Sequence, residues 1–337
     1  IHSLSPRQSE VESVSEVMGR LYCAGLELKW NTFFPARSHI PIALPNYPFS
    51  PDRHWIDIDR SGPLATPEGH PLLGARFSSP LVSKDVIIFN QTVFLKNSKW
   101  LAHHTVFGNA ILPAAAFIEL MISALKAEGF STLIENFNII AVLNLSEKDC
   151  FELQTTISQT VDNIFSIQIF SRVDDSDWTF HASASATADK RPSLVLPETY
   201  GHFHREKIGR DVNADVFYQQ MREVGIEHDE EFRGLKTICA SQESVAAWFD
   251  SENSTALKDA NDAFIIHPAL LDAAVQVAAV PLRALGCPYL PIAARSVEIL
   301  ASAKIPDEVF VSLSRPFNET DRELVASVFV LSQGDVV

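Results

Sequence analysis

The spacing of apolar and polar positions along this chain changes several times, and each change marks an element. From Gln8 to Ala24 (QSEVESVSEVMGRLYCA) apolar residues recur at helical spacing above a polar face. The stretch that follows, LKWNTFFPARSHIPIALPNYPFSPDRHW, is dense in aromatic residues. Its prolines, Pro35, Pro41, Pro45, Pro48 and Pro51, exclude a regular helix or a central strand. It reads as an extended segment pinned by its aromatic side chains, and SGPLATPEG (61–69) as a linker.

A different pattern begins at His70 with HPLLGARF. Asp85 to Leu95 is β-branched and aromatic, which predicts a strand. Ala114 to Glu128 predicts a helix apolar nearly all round, with Gly129 as its stop. Runs from Phe151, Ile164 and Trp178 read as strands, the last alternating almost perfectly, and the pattern breaks between about 190 and 205. The second half repeats the scheme. Asp215 is expected to cap a short helix ending at Gly225, and a second apolar helix runs from Pro268 to about Val280. EVFVSLSR and LVASVFVLS read as further strands. The pattern predicts an α+β chain of two similar units, each a buried helix with several antiparallel strands. The expected organisation is a leading segment at 1–64, a first half at 65–190, a connection at 191–205 and a second half at 206–337.

Composition narrows the possibilities. With 337 residues, 46% hydrophobic and 20% charged, the chain can bury two core-forming units. A net charge of -15 argues against nucleic acid and against an anionic membrane surface. No apolar run approaches the ~20 residues that span a bilayer. The first residues lack the basic flank and apolar stretch of a secretory signal, and the sequence, starting without Met, reads like the middle of something longer. Cys23, Cys150, Cys239 and Cys287 are scattered, with no CxxC pair and no zinc spacing, which suits buried free thiols in a cytoplasmic protein.

Two segments carry candidate chemistry. In HHTVFGNAILPAAAFIEL, His104 lies ahead of Gly108 and Pro113. Histidine takes and returns protons near neutral pH, a glycine allows close backbone approach, and a proline suits a helix start. His104 alone reads equally well as a loop histidine satisfied ahead of a core helix, with His103 a structural or exposed neighbour. In IIHPALLDAAVQVAAV, Asp272 and Gln276 are four apart and share a helix face among apolar neighbours. Such surroundings disfavour an ionised carboxylate and favour a neutral acid that can donate a proton. Gln276 can hold that acid without adding charge. Dinucleotide, phosphate-loop and GxSxG signatures are missing.

HTVFGNAILP resembles the HxxxGxxxxP signature of polyketide synthase dehydratases, and HPALLDAAVQ resembles their HPxxLDxxxQ segment. HPLLGARF, VFYQQMREVGIEHDEEFRGL and YLPIAARSVEI are similar to other family segments, and LPNYPFSPDRHW to the linker that follows the acyltransferase in these megasynthases. The resemblance implies a double hot-dog fold, in which each sheet curls around a long buried helix. It implies dehydration of a β-hydroxyacyl thioester on the phosphopantetheine of an acyl carrier protein, with His104 as base and Asp272 as acid. Gln276 would assist Asp272, and Gly108, Pro113, His228 and His267 would lie at the substrate. It calls for no cofactor and no metal. The implied partners are the carrier protein, neighbouring ketosynthase-acyltransferase and ketoreductase domains, and a second copy of the chain in a homodimer.

One departure stands out. The family usually reads YGP where this chain has His228, Asp229 and Glu230, beside Glu227 and Glu231. The change reads as drift in a surface turn, as an altered pocket, or as a further titratable histidine that permits a second reaction. A metal site at His228 and its acidic neighbours is the least favoured of these, since such charge runs are usually solvated. The alternatives to plain dehydration are double-bond isomerisation or oxa-Michael ring closure in the same site, a degenerate structural domain, and a hot-dog thioesterase.

Overall fold

The computed structural model describes residues 8–34, 70–145, 150–161, 163–187, 195–206, 208–250, 264–283, 285–300, 306–316 and 323–337. The Pro-rich segment from residue 35 on and the linker expected at 61–69 lie outside them, whereas Trp30–Phe33, ahead of the first proline of the stretch expected to be extended, forms a short helix. The chain divides into two compact units, 1–58 and 59–337. In the first, α1 (Glu10–Cys23) begins at a capping box: Ser9 Oγ accepts from the Glu12 N–H, and the Glu12 carboxylate accepts from the Ser9 N–H. The short helix α2 (Trp30–Phe33) follows.

The second unit opens with β1 (Ala75–Phe77), β2 (Val86–Phe94), β3 (His104–Val106), β4 (Asn109–Ala110) and helix α3 (Ala114–Ala127). The strands β5 (Ile134–Ile139), β6 (Cys150–Val161), β7 (Ile164–Arg172) and β8 (Thr179–Thr187) complete its first half. Next come α4 (Glu198–Glu206), β9 (Arg210–Asn213), α5 (Ala214–Glu223), β10 (Ile226–His228), β11 (Leu235–Ala240) and β12 (Ser244–Phe249). The chain ends with α6 (Pro268–Val277), β13 (Ala293–Val297), β14 (Glu308–Leu313), β15 (Ala326–Ser332) and β16 (Asp335–Val336). The sheet orders are β1-β2-β6-β7-β8-β5-β13 and β16-β15-β14-β12-β11-β9, with a small third sheet, β10-β3-β4. Every pairing is antiparallel.

The two large sheets each carry one buried helix. Every residue of α3 from Ala114 to Leu125 is buried, which is why its sequence is apolar on all sides. Phe117, Leu120 and Met121 of α3 share one continuous core with Phe151 and Ile167 of the first sheet, Ala269 and Ala273 of α6, and Val309 and Val311 of the second sheet. This is the α+β double hot-dog fold expected from the sequence. At the end of α3, Gly129 adopts φ +75, and the Phe130 and Gly129 N–H groups return to Leu125 and Lys126 carbonyls, closing the helix.

Three local features differ from the sequence expectations. The cap of α5 is Asn213, whose Oδ1 accepts from the Val216 N–H, because β9 runs straight into the helix and Asn213 holds the extended boundary conformation. Asp215 instead sits in the first turn and pairs with Arg233 at 2.6 Å. Helix α6 ends at Val277, and the chain continues as a 3-10 turn over Val280–Leu282. Pro281 has no N–H to carry the helical ladder further. Within the stretch expected to connect the halves, residues 198–206 form α4, which lies on the outer face of the second sheet. Phe203 and Tyr200 meet Phe310 there, with ring centroids 5.7 and 5.2 Å apart. Since α6 covers the other face, β12 and β14 are apolar on both sides and lack period-two alternation.

Phe117→Ala leaves a void in a core that both halves line, so it should cost about 3–5 kcal/mol in urea unfolding. A loss under about 1 kcal/mol would mean that the core is not shared as described.

Candidate active site

The small third sheet builds one wall of the site. Phe107 and Gly108 form a two-residue turn between β3 and β4 with φ +51 and +74, the type I′ pattern that fits hairpin twist. A Cβ at Gly108 would meet nothing, so it is the positive φ that calls for glycine there. At Gly225 a positive φ of +88 is joined by a need for space: a Cβ there would lie 2.6 Å from the Phe107 ring, and the Phe107 backbone N–H donates to the Gly225 carbonyl at 2.7 Å. This contact fixes the start of β10 against β3, with Ile226 opposite Val106 and His228 opposite His104. Directly opposed residues project to the same face of a ladder. The two histidines therefore point together, with ring centroids 5.4 Å apart.

Each site residue is held by named partners. His104 Nδ1 faces the Ile111 carbonyl at 3.3 Å. A carbonyl only accepts, so in the neutral ring Nδ1 carries the hydrogen and Nε2 keeps its lone pair. Asp272 projects from α6. Gln276, one turn on, donates from Nε2 to Asp272 Oδ2 at 2.7 Å and to the Phe232 carbonyl at 3.2 Å. The fully buried Phe232 ring packs on His104 at 5.2 Å, so Phe232 braces both the histidine and the amide. His228 Nε2 lies 3.7 Å from Asp272 Oδ2. One ring nitrogen of His104, one of His228 and one Asp272 oxygen all lie within 4.8 Å of one another, and all three residues are buried.

The other candidates fall around this centre. Pro113 caps α3 from the position before its first residue. His267 caps α6: its Nδ1 accepts from the Ala269 N–H at 3.2 Å, and its ring packs between Trp100 and Phe264. The acidic residues beside His228 do not join it. Asp229 binds Arg222 at 3.1 Å, Glu227 lies 3.6 Å from the same guanidinium, and Glu231 pairs with His103. The replacement at position 228 therefore delivers one buried imidazole to the site, while Asp229 is held by Arg222. Burial pushes His228 down to about 4, and nearby His104 adds to this against the opposing pull of Asp272 and Asp229.

Sequence reasoning passed over Glu119, a lone acid in the apolar α3. It is fully buried, and its carboxylate accepts from the Ile265 N–H at 2.7 Å, the Ile266 N–H at 3.2 Å and Ser123 Oγ at 3.1 Å, with His70 Nε2 at 3.2 Å. His70 Nδ1 in turn accepts from the Leu72 and Leu73 N–H groups. Ile265 and Ile266 directly precede the N-terminus of α6, so Glu119 ties the helix of one half to the helix that carries Asp272. A charged residue alone inside an otherwise apolar helix was the available signal.

Family models match most of the second unit. A model described as "Polyketide synthase dehydratase domain" matches residues 70–172, and one described as "Polyketide synthase dehydratase N-terminal domain" matches 204–337. The chain belongs to the polyketide synthase dehydratase family. It is 29% identical over 299 residues to the spectinabilin polyketide synthase system protein NorA' of Streptomyces orinoci, covering 84% of this chain and 8% of that protein. It is 28% identical over 275 residues to the pikromycin polyketide synthase component PikAII of Streptomyces venezuelae, covering 77% of this chain and 7% of that one. The chain thus spans under a tenth of the length of these two relatives. Among solved structures, the dehydratase domain from the CurF module of curacin polyketide synthase superposes with a TM-score of 0.68 at 23% identity, covering 80% of this chain and 95% of that one. The dehydratase domain of a mycocerosic acid synthase-like polyketide synthase superposes with a TM-score of 0.69 at 20% identity, covering 80% and 93%.

The unfolded chain takes up the His228 proton near pH 6.5, while the folded protein resists until about 4. The stabilisation is complete above 6.5 and is lost as pH falls through 4, on the order of 3 kcal/mol in all. Urea unfolding should show His228→Phe losing less stability than the parent between pH 7 and 4; parallel curves would contradict the neutral buried imidazole. Glu119→Gln turns an acceptor toward backbone donors into a partial donor, and should lower stability by roughly 1–3 kcal/mol in a thermal melt.

Proposed function

We propose that this chain removes water from a β-hydroxyacyl thioester carried on the phosphopantetheine arm of an acyl carrier protein, giving an α,β-unsaturated thioester. The observation that carries the reading is the buried approach, within 4.8 Å, of a His104 ring nitrogen and an Asp272 carboxyl oxygen, each from a different half. His104 Nε2 takes the α-proton. The electron pair left behind forms the double bond as the β C–O bond breaks, and Asp272 delivers its proton to the departing hydroxyl. This leaves an imidazolium and a carboxylate, which exchange protons with solvent after the water and product depart. Gln276 holds the Asp272 carboxyl so that its other oxygen faces the leaving group. A backbone N–H near Gly108 or at the start of α3 is the donor expected for charge building on the thioester oxygen. The residue types agree with two solved CurK dehydratases described as inactive mutants, one with His replaced by Phe and one with Asp replaced by Asn.

The chain is proposed to act as one domain of a megasynthase, beside ketosynthase-acyltransferase and ketoreductase domains, and as a homodimer. The relatives being components of polyketide synthases supports this. The proton transfers need no metal, nicotinamide or flavin. A second reading, ring closure of a substrate hydroxyl onto the new alkene, is favoured by His228: a buried imidazole kept neutral at physiological pH is a second base available to that hydroxyl.

A carrier-bound β-hydroxyacyl substrate should lose the mass of one water with the chain present. His104→Ala and Asp272→Asn should each slow this at least ~100-fold; near-normal activity in either would overturn the assigned roles. A dehydrated mass without a conjugated enoyl absorbance would point to ring closure or double-bond migration, and a product that resists hydrogenation would assign ring closure.

A further inference from the structure

Proton transfer between His104 and Asp272 makes no use of His228, yet the ladder between β3 and β10 aims His228 at both. The three side chains form a donor set that acid–base chemistry does not need. Two imidazoles and one carboxylate are a recurrent ligand set for divalent transition metals. We propose that His104, His228 and Asp272 bind a divalent transition-metal ion of the zinc type, and that the bound ion excludes dehydration.

The geometry lies close to what such an ion requires. With bonds of about 2.0–2.1 Å and tetrahedral angles, neighbouring donors sit roughly 3.4 Å apart. His228 Nε2 and Asp272 Oδ2 are already 3.7 Å apart, and the widest separation in the trio is no more than 4.8 Å. A closure of about 1 Å is within the reach of side-chain rotation about three fixed backbone positions. Outer partners orient two of the ligands in the way metal sites use. The Ile111 carbonyl holds His104 Nδ1 and leaves Nε2 its lone pair, and Gln276 steadies the Asp272 carboxylate. His228 itself is buried with Nδ1 lacking a hydrogen-bond partner. The nitrogen that faces Asp272 is Nε2, so a metal bond would form there with Nδ1 carrying the ring hydrogen. Three protein ligands leave a fourth position for water.

The site depends on the replacement at position 228. Where the family usually has the tyrosine of YGP, the trio would lack its second imidazole. The ion would occupy the His104 lone pair that accepts the α-proton and hold Asp272 as a carboxylate with no proton to give. Metal and turnover then compete for the same two side chains. Binding of the ion stands independently of the dehydratase reading, whereas the competition rests on it.

Cobalt(II), added to chelator-treated full chain, tests the binding. One equivalent should give the intense visible absorption of a tetrahedral nitrogen–oxygen site, and zinc should displace it. His228→Tyr and His228→Asn should each weaken binding by more than the roughly 10–100-fold that loss of an outer partner costs. Thermal melts establish that each variant folds, and two different replacements guard against one failing to do so. His202→Ala removes an exposed histidine that pairs with Glu206 away from the site, and should leave the cobalt signal unchanged. Absence of saturable binding, or a signal that survives both His228 variants, overturns the metal site. Zinc should also slow water loss in the parent chain and EDTA should restore it; binding without inhibition overturns the competition. A chain that never dehydrates its substrate fails the proposed function while the cobalt spectrum still decides the site.

Discussion

Three residues of β3 pair with three of β10 across the seam between the two halves, and the placement of His104 beside His228 follows from that short ladder. The ladder itself depends on two glycines. Gly108 permits the tight turn after β3, and Gly225 leaves the space into which the Phe107 ring settles. With the register set, His104 and His228 must share a face, since opposed residues in a ladder cannot do otherwise. A one-residue slip of β10 would turn His228 to the opposite face from His104 and bring Glu227 or Asp229 opposite it. The acid of the pair comes from α6, and Gln276 links it back to the Phe232 carbonyl beside His104.

Glu119 provides the second tie. A buried carboxylate is costly unless donors surround it, and four groups from three separate stretches of chain do so: the Ile265 and Ile266 amides, Ser123 and His70. The arrangement fixes where α6 begins and so the height of Asp272 along the seam. Packing supplies the remaining constraint. One apolar core runs through both helices and both sheets, so the halves are parts of a single interior. β13, from late in the chain, adds to the edge of the first sheet beside β5, which interlocks the halves further.

The substitution of His228 for the usual tyrosine changes the character of the site without changing its framework. Asp229 pairs with Arg222 and Glu231 with His103, so these two acids are engaged away from His228. Only the imidazole enters, where burial holds it neutral beside a carboxyl group and a second imidazole. The resulting trio has more donor capacity than one dehydration step consumes.

The sequence alone determined the elements with strong local character. The all-apolar α3 and its Gly129 stop, the alternating β8, and the segments around His104 and Asp272 were legible because burial periodicity and turn chemistry are written in neighbouring residues. Small local choices were less so: Asn213 rather than Asp215 caps α5, because the end of β9 decides which residue holds the boundary conformation. Only the tertiary structure decided what depends on residues far apart in sequence. The pairing of His104 with His228, the reach of Glu119 to Ile265 and Ile266, and the addition of β13 to the first sheet each join positions separated by more than a hundred residues. Strand registry and buried hydrogen bonds at that range are set by how surfaces fit once folded, and no local pattern encodes them.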